Sequence, residues 1–170
     1  MNEKAGYYIS KLQLSLHPEG GYYKEVYRSG EIYEAEFLPG RYFKDRTLST
    51  SIYFLLEGRQ VSTFHRLKSD EIWHFYDGSV VKIYNIEEDG RMKEIKLGNN
   101  LEDGETLQVV INKNSWFGAE VVDKSSFCLI GCTVSPGFDF EDFELGNRDS
   151  LIKQFPEYSE VIKKLTKFTA

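Results

Sequence analysis

The sequence predicts a mainly β fold, an antiparallel sandwich or barrel with short helices at its two ends, and three observations predict it. Apolar, β-rich runs follow one another at roughly ten-residue spacing between residues 48 and 134, the pattern of short strands in sequence and not of alternating βαβ units. The dipeptides Glu57-Gly58, Asp77-Gly78 and Asp89-Gly90 fall between these runs, where tight hairpins need a residue that accepts positive φ. Aromatic residues make up 15% of the chain, with 11 Tyr, 12 Phe and 2 Trp, and large rings pack well on pleated surfaces.

Taken in order, Ala5, Tyr8, Ile9 and Leu12 share one helical face, which predicts a short helix over about 3–13. His17-Pro18-Glu19-Gly20-Gly21 breaks it and reads as a turn, and Tyr22 to Arg28 then reads as a strand. Residues 30–46 have no period and read as a loop. Strands are expected at 48–56, 61–67, 71–76, 80–86, 92–97, 107–111, 116–122 and 127–134. The acidic run Asp139-Phe140-Glu141-Asp142-Phe143-Glu144 interleaves charges with rings and reads as a loop anchored by those rings. Leu151, Phe155, Tyr158, Val161, Ile162 and Leu165 recur at helical spacing, with Pro156 opening a last helix over about 156–166. No repeat, low-complexity tract or linker interrupts the chain, so residues 1–170 are expected to form a single domain.

Composition narrows the function. A net charge of -6 argues against a nucleic-acid partner, because phosphate binding needs clustered Lys and Arg. There is no run of 18 apolar residues and no signal-peptide apolar core in the opening residues, so no membrane association and a cytoplasmic location are expected. Cys128 and Cys132 sit four residues apart in an apolar β-type run. Four strand residues span about 13 Å, beyond the reach of about 7 Å that a disulfide allows. They are expected to be reduced, buried and apolar in role.

The segment from Phe64 to Gly78 holds two of the three histidines, the carboxylate of Glu71 and several aromatics, and it reads as two strands around a polar turn. Imidazole and carboxylate groups on neighbouring strands can converge as a metal site or an acid/base pair. The candidates are His65 as a ligand-binding or general-base imidazole, Glu71 as a carboxyl whose burial raises its pKa, and Trp73 and His74 beside them. Regular alternation puts Glu71 and His74 on opposite faces. Tyr53, alternating with apolar neighbours, offers a phenol as a proton donor, and Trp116 offers a stacking surface.

These residues resemble the first motif of the cupin superfamily: Gly58, the 64–71 segment, Glu71 and Gly78. More narrowly the chain is similar to a small cupin-like subfamily of unassigned function, through His17-Pro18-Glu19-Gly20-Gly21-Tyr22-Tyr23, Asp70-Glu71-Ile72-Trp73-His74-Phe75 and Ser135-Pro136-Gly137-Phe138-Asp139-Phe140. The resemblance implies a jelly-roll barrel, a double-stranded antiparallel β-helix, and a homodimer. It also implies a departure. Metal-binding cupins hold their ion with three His and one Glu, yet here at most one first-motif histidine, His65, is retained and the second-motif position carries Phe117. No metal or other cofactor is therefore expected. If a divalent metal were held, its ligands would be His65, Glu71 and His74.

The functional expectation is a small-molecule-binding protein with an aromatic-lined barrel pocket formed by His65, Glu71, Trp73, His74, Trp116 and Tyr53. The alternative is a metal-independent isomerase or epimerase acting on a sugar or sugar-nucleotide, with His65 as base and Tyr53 as acid. A metal-dependent oxygenase is the weakest reading, because it needs ligands the sequence does not supply.

Overall fold

Strand alternation decides the architecture. A computed structural model describes residues 2–167, and along the central strands β5, β6, β8, β11 and β12 one parity of side chains faces the opposite sheet while the other faces a helix. The chain begins with α1 (Glu3–Leu12), then β1 (Ser15–Leu16), β2 (Tyr22–Arg28), β3 (Ile32–Tyr33), β4 (Arg46–Thr47), β5 (Thr50–Glu57), β6 (Val61–Leu67) and β7 (Asp70–Gly78). It continues through β8 (Val81–Ile86), β9 (Met92–Leu97), β10 (Gln108–Ile111), β11 (Trp116–Val121), β12 (Phe127–Ser135) and β13 (Phe143–Leu145), and closes with α2 (Arg148–Gln154) and α3 (Ser159–Lys164). Among the described residues, one six-stranded sheet runs β1-β2-β5-β12-β7-β10 and a five-stranded sheet runs β13-β6-β11-β8-β9, with β3 and β4 paired apart. All named strand pairs are antiparallel. The result is a mainly β jelly roll, as the sequence predicts.

The main core lies between the sheets. Phe54, Leu56, Trp73, Ile83, Phe117, Ala119, Cys128, Ile130 and Cys132 meet there. The opposite parity meets helices: Leu55 and Leu129 pack under α1 with Ala5, and Phe64, Tyr84, Ile86 and Trp116 pack under α2 and α3 with Leu151 and Ile162. Apolar burial drives both layers. The N-terminal helix is capped by Asn2, whose side chain accepts from the Lys4 and Ala5 amides. Cys128 and Cys132 are free and buried, and burial pushes both thiols up.

Several local expectations are corrected. Of the three glycine turns, Asp89-Gly90 closes a true hairpin, between β8 and β9. The other two carry the chain from one sheet to the other, since β5 and β7 lie in the six-stranded sheet and β6 and β8 in the five-stranded one. The 30–46 segment contains β3 and the start of β4, and the acidic run ends in β13, which pairs Phe143 with Leu67. The expected last helix is split: residues 156–158 form a 3₁₀ turn before α3, and α2 precedes Pro156. No helix among the described residues is long and apolar enough to cross a membrane.

Candidate ligand-binding site

The turn between β6 and β7 switches sheets, so His65 and Glu71 approach each other across the barrel interior and not along one sheet. They line a cavity of about 460 Å³ that opens between the sheets. Trp73, two residues beyond Glu71 on the same face, lines it with Phe54 and is backed by Phe117, at centroid distances of 6.0 Å from each.

Two residues read from sequence as part of a turn complete the polar wall. Gly20 and Gly21 both have positive φ (113° and 72°), and a Cβ on Gly20 would collide with the Val61 carbonyl oxygen. This close approach lets the Glu19 carbonyl accept from the Thr63 amide and hydroxyl, at 3.0 and 2.9 Å. It brings the Glu19 carboxylate beneath β6, where Oε1 accepts from Ser62 Oγ at 2.7 Å and Oε2 stands 3.1 Å from His65 Nε2. His17 Nδ1 lies 3.5 Å from the same Oε2 and accepts from the Glu19 amide. His17 and Glu19 are the site residues that the sequence reading missed. The signal was available: a third histidine two residues from a carboxylate, in one of the segments that carries the family resemblance.

His65 has both ring nitrogens engaged. Nδ1–H donates to the Thr63 carbonyl at 2.7 Å, which leaves Nε2 to share one proton with Glu19. Burial lowers the pKa of His65 and of His17 and raises that of Glu19. Glu71 is flanked on its two neighbouring strands by Val134 and Ile111 and is 7% exposed. Burial pushes its carboxyl up to about 7, against the opposing influence of His65. Glu71 Oε2 and Trp73 Nε1 are both buried and neither makes a well-formed hydrogen bond, although the Trp73 indole and the Cys132 thiol lie close enough to the Glu71 carboxyl to favour its charged form. Buried polar atoms of this kind are uncommon and costly, and these two belong to residues of the cavity wall.

The mouth is framed by residues 136–145. Phe138, Phe140 and Phe143 form an edge-to-face cluster that extends to His17. The strap is tied down by Arg46, whose Nε and Nη2 donate to Asp142 at 2.6 and 2.8 Å with both side chains buried. At the rim Arg28 donates to Glu25 through Nε and Nη2, and Nη2 also donates to the Phe138 carbonyl.

Three sequence candidates do not reach this cavity. His74 has the parity opposite to Glu71 and Trp73, and its Nε2 lies 3.3 Å from Thr133 Oγ1 on the outer face. Tyr53 alternates with Ile52 and Phe54 and so packs beneath α1, edge-on to Tyr76. Trp116 faces the C-terminal helices, with the Arg66 guanidinium 4.6 Å over its ring. Its neighbour Phe117 points inward and lies 4.0 Å from the His65 ring, centroid to centroid.

The inherited metal set is not assembled. Among the described residues no three His, Cys, Asp or Glu side chains are gathered to hold an ion. His74 is on the wrong face, His65 is committed on both nitrogens, and Phe117 supplies a ring where a metal-binding cupin has a ligand. A divalent cofactor does not fit these residues.

A two-sheet jelly roll with a pocket opening between its sheets defines a class of small-molecule-sized barrels. Within it, residues 6–146 match the family described as Cupin superfamily (DUF985), and the chain belongs to that family. It is 32% identical over 143 residues to the uncharacterized protein YML079W of Saccharomyces cerevisiae, covering 79% of this chain and 71% of that protein. The crystal structure of SO0799 from Shewanella oneidensis superposes with a TM-score of 0.86 at 39% identity, covering 97% of this chain and 98% of the other. A hypothetical protein from Leishmania major gives 0.86 at 34% identity, covering 96% and 99%. Bacillus subtilis oxalate decarboxylase shares the fold alone, at a TM-score of 0.55 and 14% identity over 88% of this chain and 36% of that one.

Proposed function

We propose that this protein binds a small organic molecule in the cavity between its two sheets. The observation that carries the reading is the pairing of a ring-lined cavity of about 460 Å³ with two buried polar atoms in its wall that lack a well-formed hydrogen bond, Glu71 Oε2 and Trp73 Nε1. Pockets of this size with few polar groups among apolar walls are the usual form of ligand sites. A metabolite screen by thermal shift tests it. A ligand at 100 times its Kd stabilises the fold by about 2.7 kcal/mol, and Ile52→Trp, which fills the cavity from β5, is expected to abolish the shift. A hit whose shift survives Ile52→Trp would place its site elsewhere.

An isomerase or epimerase remains the second reading, with its acid/base group moved. His65 is committed on both nitrogens and Tyr53 lies outside the cavity, whereas a carboxyl near 7 is matched to proton transfer at neutral pH. Glu71 is the group that reading requires.

The homodimer proposal is supported by the edge of the six-stranded sheet. β1 covers β2 only at Tyr22 and Tyr23, and Val26 and Tyr27 are exposed on the uncovered remainder. An uncovered strand edge is a route to sheet extension by a second copy. Light scattering after gel filtration is expected to give twice the chain mass of 19.7 kDa; a single-chain mass overturns the dimer. The reduced, buried cysteines support placing the protein in the cytoplasm.

A further inference from the structure

We infer that the cavity selects a small cationic amine, its ammonium group donating to Glu71 and an adjacent oxygen accepting from Trp73 Nε1, against a ring-lined wall. The inference rests on the small-molecule reading above and names the chemistry of its ligand. Charge balance is the first support. The ionisable groups on the wall are Glu19, Glu25, Glu71 and Asp139 against one guanidinium, Arg28, with His17 and His65. Arg28 pairs with Glu25, donating through Nε and Nη2 to both its oxygens and through Nη2 to the Phe138 carbonyl. The two imidazoles share the Glu19 carboxylate. Among the described residues Glu71 makes no ion pair with a lysine or arginine, and carboxylates outnumber cations on the wall, so the cavity favours a cationic ligand over an anionic one.

The second support is this pair of buried atoms. Glu71 Oε2, once ionised, is an acceptor without a well-formed hydrogen bond, and Trp73 Nε1, which lies near the same carboxyl, is a donor without one. A ligand presenting N–H beside oxygen, as an amino alcohol does, satisfies both. The third is the wall itself: Tyr23, Phe54, Phe138, Phe140 and Phe143 supply the ring faces on which a desolvated ammonium gains cation–π attraction. The groups facing Glu71 are His65, Glu19, Trp73 and Cys132. Burial and the Glu19 charge hold its carboxyl near neutrality, so an ammonium beside it favours ionisation and binding releases a proton.

Three probes of one shape separate the charge: 2-amino-1-phenylethanol, 1-phenylethanol and mandelate, titrated by calorimetry into the full chain. The amine is expected to bind at least about tenfold more tightly than the alcohol, as a charge-assisted hydrogen bond provides, and mandelate most weakly. Amine affinity is expected to rise between pH 6 and pH 8. Calorimetry in two buffers at pH 7 is expected to show release of about half a proton per site, given a carboxyl near 7. Glu71→Gln is expected to remove both the amine preference and the proton release. Equal or tighter binding of mandelate, or an amine preference that survives Glu71→Gln, overturns the inference and leaves the cavity reading standing. Absence of binding by all three also overturns it, and the metabolite screen with Ile52→Trp then decides the cavity reading separately.

Discussion

Replacing Arg46 by Met is expected to destabilise the protein by about 3–5 kcal/mol, the cost of removing one member of a buried ion pair. Both side chains are almost fully buried, at 3% and 4% exposure. Arg46 donates to both Asp142 oxygens and also, through Nη1, to the carbonyls of Lys44 and Asp45. Loss of the guanidinium therefore strands a carboxylate and two carbonyls at once. Lys68 Nζ lies 3.3 Å from Asp142 Oδ1 and offsets part of the loss, which places the expected value at the lower end of the range. Urea denaturation at neutral pH measures it. A loss below about 1 kcal/mol would mean that Lys68 alone can hold Asp142. Because this pair ties the Phe138–Phe143 strap over the cavity mouth, ligand affinity is expected to fall along with stability.

The second large effect belongs to Glu71→Gln and appears as a pH dependence. The folded carboxyl titrates near 7 against an ordinary value of 4.5. The folded state thus holds its proton more tightly than the unfolded state. The stability contributed is fully present below 4.5 and is lost as pH rises through 7. Two and a half pKa units correspond to about 3 kcal/mol. Gln keeps the shape and does not titrate, so the variant is expected to gain about that much on the wild type between pH 4.5 and pH 8. Glu19 is displaced in the same direction, and the two histidines in the opposite one. Those groups are present in both proteins, and because Glu19 and His65 interact with Glu71, the difference between the two stability curves reports Glu71 together with its coupling to them. Parallel curves would show that Glu71 titrates as an ordinary surface carboxyl.

The strands were legible because alternation and glycine turns are local signals. β6 and β9 fall where the apolar pattern places them. α2 was not, because seven residues with one fully buried position, Leu151, carry too short a period to read. The site divides on a subtler point. Period-two alternation states which residues share a face, not which face is the interior. In the central strands both faces are covered, one by the opposite sheet and one by helices, so both are apolar. Parity correctly separates Glu71 from His74, yet nothing local says that Phe54 and Phe117 face inward and Tyr53 and Trp116 outward. For His17 and Glu19 the sequence offered their pairing but not their place. They meet His65 only because two positive-φ glycines press the 17–21 turn against β5 and β6, a long-range contact that spacing along the chain does not encode.

The chain provides its own reporters for the central claim, since one of its two tryptophans lies in the cavity wall and the other on the outer face of the opposite sheet. The most direct measurement is the pair of indole N–H resonances in a ¹H–¹⁵N spectrum, followed during titration with a compound that stabilises the protein. The Trp73 resonance is expected to move, toward the position of a hydrogen-bonded indole, while that of Trp116 stays in place. A stabilising compound that leaves Trp73 unmoved, or that shifts Trp116 alone, would contradict that claim.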